Sequence, residues 1–206
     1  PENWEHSEEV LRKVLVRLGL KFDEAKNEAA FYGPKIDIQL KNIYGKEDTM
    51  STVQLDFAAK KRFNLHYDDA EGKQNQEVFV IHRAPLSTNE RFIAFLIEHY
   101  RGKFPLWLNP VQVKVLTVTE KNNEFAEKIV NEMKQKGIRV EINEKNESIG
   151  KKVRSAILER VNYTITIGDR EEEEKTLAVR DREGKVEHFQ VEYFVSKLLD
   201  EIKKKC

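Results

Sequence analysis

The sequence holds one cysteine, Cys206, in 206 residues. A single thiol excludes an intramolecular disulfide framework and any zinc site built from several cysteines. A reducing, cytoplasmic setting is the expectation. Net charge is missing too, because 36 basic and 36 acidic side chains cancel. Global charge therefore gives no nucleic-acid signal, and any RNA site must be a local patch. No run approaches the ~20 apolar residues of a membrane span, so no membrane partner is expected. The first residues, Pro1-Glu2-Asn3-Trp4-Glu5-His6, have neither the basic region nor the apolar stretch of a signal peptide. The absent initial methionine fits a piece cut from something longer, or removal of the initiator. There is no internal repeat, no G-x-G-x-x-G, no phosphate loop, no G-x-S-x-G and no His-Glu-x-x-His. What is present is enough to build a core: 11 Phe, 6 Tyr and 2 Trp. The length allows one large domain or two modest ones of roughly 150 residues or less.

Alternation and helical spacing divide the chain into two kinds of pattern. Residues 7–18 read as an amphipathic helix, with Ser7 as N-cap, Val10, Val14, Leu15 and Leu18 on one face, and Gly19 as the stop. Residues 35–40, 52–57 and 77–82 alternate as strands, with Val53, Leu55 and Phe57 on one face of the second. Residues 42–46 and 68–73 read as turns. A helix over 89–100 carries Phe92, Phe95, Leu96 and His99, and Gly102 and Pro105 end it. Short connections between strands predict an antiparallel sheet. The stiff segment 104–110 is the expected domain boundary, and a domain starting at about Pro110 is expected to fold by itself. Beyond it, β and α patterns alternate. Strands are expected at Val111, Val113 and Val115, at 138–142 and at 163–167. Helices are expected around Phe125, Ile129, Val130 and Met133, and at Ile149, Val153, Ile157 and Val161. Leu177 and Val179 open a hairpin that turns at 181–184. Val191, Phe194, Val195, Leu198 and Ile202 mark a last helix. The run Glu171-Glu172-Glu173-Glu174 reads as a solvated loop. The fold class is an α+β antiparallel sheet over residues 1–109, then an α/β mixed-sheet domain over 110–206.

Several polar residues stand off these strands. Tyr32-Gly33-Pro34-Lys35 reads either as a plain hairpin turn with a surface lysine or as an aromatic and a cation brought to a pocket. Thr52, Gln54 and Asp56 lie opposite Val53, Leu55 and Phe57. They form the wet face of a sheet, or the wall of a substrate site. His82-Arg83 ends a strand, and Glu90-Arg91 opens a helix. An arginine at such a junction can clamp a phosphate through paired bonds, or it can pair with a carboxylate such as Asp37. Further on, Lys145, Lys151, Lys152, Arg154 and Arg160 outnumber Glu147 and Glu159. That is either a local RNA patch or a solvated helix face.

Taken together and in order, these phrases resemble the threonyl-tRNA synthetase family. They run Ala30-Phe31-Tyr32-Gly33-Pro34-Lys35-Ile36-Asp37, Thr52-Val53-Gln54-Leu55-Asp56-Phe57, Ile81-His82-Arg83-Ala84, Glu90-Arg91-Phe92-Ile93 and Glu98-His99-Tyr100. Phe104-Pro105-Leu106-Trp107-Leu108-Asn109-Pro110-Val111-Gln112-Val113 and Asn146-Glu147-Ser148-Ile149-Gly150 follow. The resemblance covers nearly the whole chain. It implies the second half of a class II catalytic domain followed by an anticodon-binding domain.

The resemblance also implies roles. Glu90-Arg91 matches the third class II motif, so Arg91 binds the ATP triphosphate, with Mg2+ accompanying the ATP. Arg91 and Gln54 are the expected catalytic residues. Tyr32, Lys35, Thr52 and Gln54 match positions around the amino acid and the adenylate, and Asp56 matches a polar supporting position. His82 matches one of three protein ligands of a Zn2+ that grips the amino and hydroxyl groups of L-threonine. A metal that reads a hydroxyl rejects valine. Asn146, Arg154, Arg160, Arg170, Glu171 and Arg180 are the implied contacts to the anticodon of threonine tRNA. The full-length family protein is implied to be a homodimer. The first and second motifs, the other two zinc ligands and the editing region are not in this sequence, so the chain alone is expected to be inactive. Pro85-Leu86-Ser87-Thr88-Asn89 departs from the commoner Ile-Leu-Gly-Ser-hydrophobic pattern. Ser148 stands where lysine is common, and Asn162 where proline is common. The rival reading is a synthetase-derived, non-catalytic module that binds tRNA or protein. Retention of Tyr32, Lys35, Gln54, His82 and Arg91 argues against it.

Overall fold

The computed structural model describes residues 2–75 and 78–205. The expected strand start at Glu77 and the lone thiol of Cys206 lie outside the described residues. The chain forms two compact units, residues 1–95 and 96–206.

The first unit opens with helix α1 (Glu2–Arg17). Ser7 is not its cap. The helix starts five residues earlier, and Ser7 is buried within it, its hydroxyl without a hydrogen-bond partner among the described residues. The buried face runs through Ser7 and Leu11, whereas Val10 and Leu18 are exposed. Spacing of apolar residues thus gave the helix but set its face about one residue off, because a small serine replaced an apolar residue in the stripe. The Trp4 and Phe57 rings pack edge to face, with centroids 5.2 Å apart. Gly19, at φ +65, ends the helix as expected, its N–H bonded to the Val16 carbonyl.

Strands β1 (Lys35–Lys41) and β2 (Glu47–Asp56) form the expected antiparallel pair. Asn42 organises their turn, its Oδ1 accepting from the Tyr44 and Lys46 N–H groups. Then come a short helix α2 (Ala59–Phe63), a small hairpin β3 (Tyr67–Asp68) and β4 (Gln74–Asn75), and strand β5 (Val80–Ala84). The sheet order is β1-β2-β5, antiparallel throughout. Helix α3 (Asn89–Tyr100) follows, and no residue of it is buried.

The second unit holds a five-stranded sheet. Its elements are β6 (Val113–Thr117), α4 (Asn123–Gln135), β7 (Val140–Asn143), α5 (Ile149–Leu158), β8 (Tyr163–Ile167), α6 (Asp169–Glu174), β9 (Thr176–Arg180), β10 (Val186–Gln190) and α7 (Val191–Lys204). The order is β10-β9-β8-β6-β7, with β6, β7 and β8 parallel and the rest antiparallel, which is the expected mixed sheet. Val113, Val115, Ile165, Ile167, Leu177 and Val179 point to one face. There Met133 and Ile129 of α4 and Phe194 and Leu198 of α7 close a dense core.

Two expectations fail here for physical reasons. The acidic run is not a loop: it forms α6, held by Asn122 Nδ2 donating to Asp169 and Glu172. Those bonds span about fifty residues and leave no local trace. In α5 the buried residues are Lys152 and Ala156, while Ile157 is 60% exposed and Val161 lies beyond the helix. The Lys152 ammonium donates to the carbonyls of Thr117 and Asn143, the last residues of β6 and β7. A lysine on the inner face defeats any pattern that scores lysine as outward.

Candidate functional site

Strand register assembles the first group of expected residues. Lys35, Gln54 and His82 are direct cross-strand neighbours on β1, β2 and β5. Asp37, Thr52 and Ala84 form the next row on the same face. Tyr32 leans in from the turn, its hydroxyl donating to Gln54 Oε1 at 2.9 Å and its ring lying 5.7 Å from that of His82.

Gly33 makes that approach possible. A Cβ there would lie 1.7 Å from the Leu55 carbonyl oxygen. The flanking bonds, Leu55 N–H to Pro34 O and Phe57 N–H to Tyr32 O, fix the segment against β2. Gly33→Ala is therefore expected to lose at least about 2–3 kcal/mol of first-unit stability, since a backbone clash has no rotamer escape. Urea unfolding followed at Trp4 measures it; a shift under about 0.5 kcal/mol would show that the segment yields freely.

Asp56 supports His82. Its Oδ2 lies 2.9 Å from His82 Nε2, and its Oδ1 accepts the Ala58 and Ala59 N–H groups at 2.8 Å. Burial pushes the carboxyl up, but the His82 bond and the two backbone bonds outweigh it, so it sits below the ordinary carboxylate value. The bond at Nε2 leaves His82 Nδ1 free for a metal, the arrangement in which a carboxylate orients a ligand histidine. His82 thus fits as one zinc ligand. No group of three metal-binding side chains converges among the described residues.

Sequence reasoning missed the organising role of Asp37. Its Oδ1 accepts the Thr52 hydroxyl at 2.6 Å and its Oδ2 the Lys35 ammonium at 2.5 Å. The pairing of Asp37 with an arginine is not what forms. The alternation Lys35-Ile36-Asp37 was the available signal, since it puts both charges on one face. Arg91 lies in the first turn of α3, exposed, with its N–H bonded to the Thr88 hydroxyl. Ser87 adopts φ +54, a conformation that glycine takes without strain. The departure from glycine is thus a change of side chain on a glycine-like backbone.

The second group lies on the second unit. Asn146 and Lys152 line a small recess with Thr117, Thr119 and Lys145 at the carboxyl ends of β6 and β7. Arg170 and Glu171 lie just past the end of β8. Arg180 ends β9, so Glu171 and Arg180 flank the same five-residue strand, roughly 13 Å long at its usual rise. Several of these groups already have partners. Arg170 pairs with Glu174, Glu171 Oε2 accepts the Gly168 N–H, and Arg180 Nη1 donates to the Gly184 carbonyl. Arg160 donates to the Arg101 carbonyl at the far end of α5, away from Asn146. Arg154 is exposed midway along α5. The structure does not gather all six into one cluster. The charge excess on α5 is also smaller than it read, because Lys152 is buried and Lys151 pairs with Glu147.

Comparisons with known proteins bear on both groups. Residues 1–100 match the family model described as the tRNA synthetase class II core domain (G, H, P, S and T), and residues 112–205 match the anticodon binding domain. The chain is 43% identical over 203 residues to a threonine–tRNA ligase of Clostridium perfringens and 44% identical over 207 residues to one of Geobacillus kaustophilus. It is covered to 98% and 99% and spans only 31% of each relative. The crystal structure of the RNA binding domain of threonyl-tRNA synthetase from Cryptosporidium parvum superposes with TM-score 0.84 at 34% identity, over 97% of this chain and 50% of that one. With a class II core match followed by an anticodon-binding match, and relatives along nearly its whole length, the chain belongs to the threonyl-tRNA synthetase family, as a class II core segment followed by an anticodon-binding domain.

Proposed function

We propose that this chain works as part of a threonine–tRNA ligase, residues 1–109 contributing to the catalytic core and 110–206 reading the anticodon. The row Lys35–Gln54–His82, with Tyr32 bonded across it, carries this reading. It presents a cation, an amide, a phenol and an imidazole on one sheet face, a set suited to a small zwitterion and a nucleotide. In the whole enzyme L-threonine attacks the α-phosphate of Mg2+-bound ATP, giving threonyl-adenylate and pyrophosphate, and the threonyl group then passes to tRNA. Arg91 stabilises triphosphate charge as pyrophosphate leaves. Gln54 and Tyr32 orient the amino acid, and Thr52 and Lys35, held by Asp37, line its surroundings. His82, with ligands from outside the described residues, would hold a Zn2+ that would supply a Lewis acid for the amino and hydroxyl groups of threonine. Asp56 keeps the His82 ring in place. In the cytoplasm the whole protein acts as a homodimer.

The second unit is expected to bind the anticodon stem-loop of threonine tRNA weakly, with affinity falling steeply as salt rises. Fluorescence titration of several anticodon loops at two salt concentrations tests this. Arg180→Ala and Glu171→Ala should reduce discrimination among loop bases, with each good contact worth about 1–3 kcal/mol by analogy with DNA readout. Lys151→Ala should weaken all loops about equally. Equal weakening of every loop by Arg180→Ala and Lys151→Ala would leave only a generic basic patch. The chain alone should not support threonine-dependent pyrophosphate exchange, because the arginine of the second motif is not in its sequence.

A further inference from the structure

On the second unit, the sheet face turned away from the core of α4 and α7 changes character from one side to the other. Register sets Leu116, Thr166, Ala178 and His188 side by side on β6, β8, β9 and β10. Leu116 is 0% exposed, and α5 packs on its strand. Thr166 and Ala178 are only half-buried, although β8 and β9 each have a strand on both sides, and His188 is exposed. The cover over this row therefore thins out past β6. Thr164, Arg180 and Val186 form the adjacent row, with Val186 44% exposed. On β8, β9 and β10 these two rows hold no carboxylate.

Side chains stand roughly perpendicular to a sheet. The uncovered row is then a slot, with Thr166 as one wall, His188 as the other and the Ala178 methyl as the floor. The walls rise from strands two spacings apart, about 9.5 Å. Neither the Thr166 hydroxyl nor the His188 imidazole has a hydrogen-bond or ring partner among the described residues. Arg180 is the diagonal neighbour of His188, at roughly 7–8 Å between backbones. Its bond to the Gly184 carbonyl uses one of five guanidinium N–H groups and steadies the others.

We propose that this slot takes one unpaired base of the anticodon loop, stacked on His188, with the Thr166 hydroxyl and the Arg180 guanidinium at its edge. Unpaired RNA bases are held in this way, a face on an aromatic ring and an edge on hydrogen-bonding groups. A cationic surface free of carboxylates suits a polyanion. Alanine at the floor leaves the room that a larger side chain would fill. His188 and Thr166 stand outside the contacts that the family resemblance implies, so they add a site to the anticodon reading on which the proposal rests.

The test titrates the full chain against the anticodon stem-loop of threonine tRNA carrying 2-aminopurine at each anticodon position in turn. Stacking should quench the fluorophore at one position. His188→Ala should abolish that quench and weaken binding about tenfold, within the range for loss of one base–aromatic stack. His188→Phe should restore both, because a phenyl ring stacks as an imidazole does. Ala178→Leu, which fills the floor and keeps His188, should reproduce the loss. Glu187→Ala, next to His188 but on the other face of β10, should leave quench and affinity unchanged. A quench absent at every position, or one indifferent to His188→Ala and Ala178→Leu, would overturn the slot, while discrimination among anticodons by the unaltered chain would keep the anticodon reading standing. An unaltered chain that binds all loops alike, with a quench still lost in His188→Ala, would count against anticodon reading and support the slot as a base-binding site.

Discussion

A polypeptide of residues 96–206 is expected to fold, and one of residues 110–206 to lose roughly 4–6 kcal/mol of that stability. Leu106 is 1% exposed and belongs to the core of the second unit. Removing a buried leucine takes about 2–5 kcal/mol. The connector is also bonded into that unit. Arg182 Nη1 donates to the carbonyl of Phe104. Asn162 donates to Phe104, Gln112 to Leu106, and Arg139 to Trp107 and Asn109. Cutting at Pro110 strands these donors, each worth about 1 kcal/mol when its partner goes to water. Stabilities of typical domains are only about 5–15 kcal/mol, so the shorter piece should be marginal or unfolded. Urea unfolding by circular dichroism compares the two. Stabilities within about 1 kcal/mol of each other would show the connector to be a passive linker.

The full chain should unfold in two steps, the first unit going first. Its few buried apolar residues contrast with the continuous core formed by α4, α7 and the five-stranded sheet. Each unit carries one of the two tryptophans. Trp4 touches Phe57, and Trp107 belongs to the connector that is bonded into the second unit. Trp107→Phe leaves a reporter of the first unit, and Trp4→Phe a reporter of the second. The Trp4 signal should pass its midpoint about 2 M urea or more below the Trp107 signal, given slopes of about 1–3 kcal/mol per molar urea. Coincident midpoints would show that the units melt as one.

Strands were the most legible part of the sequence. Residues 35–40 and 163–167 alternate or run apolar between clear turn residues, and both form strands. Helix faces were less legible wherever an interior position was not apolar: Ser7 on α1 and Lys152 on α5 displaced the expected stripes. Helix α6 was invisible because Asn122, far away in sequence, holds it. The candidate site divides in the same way. Its residue types could be quoted from the chain, but their meeting depends on cross-strand register. That Gln54 sits between Lys35 and His82 follows from how β1 and β5 flank β2. Asp37 escaped because a carboxylate two residues from a lysine looks like an ordinary surface pair until Thr52 arrives from the next strand.

Lys152 has a consequence for how this domain changes over evolutionary time. Its ammonium closes the ends of β6 and β7 from the first turns of α5, inside the protein. The start of α5 is thereby tied to the sheet without help from the segment 144–148 that leads into it. That segment is free to change its side chains, and even its length, without moving the helix. Substitutions such as serine at position 148 alter the surface in front of α5 while the frame beneath keeps its position.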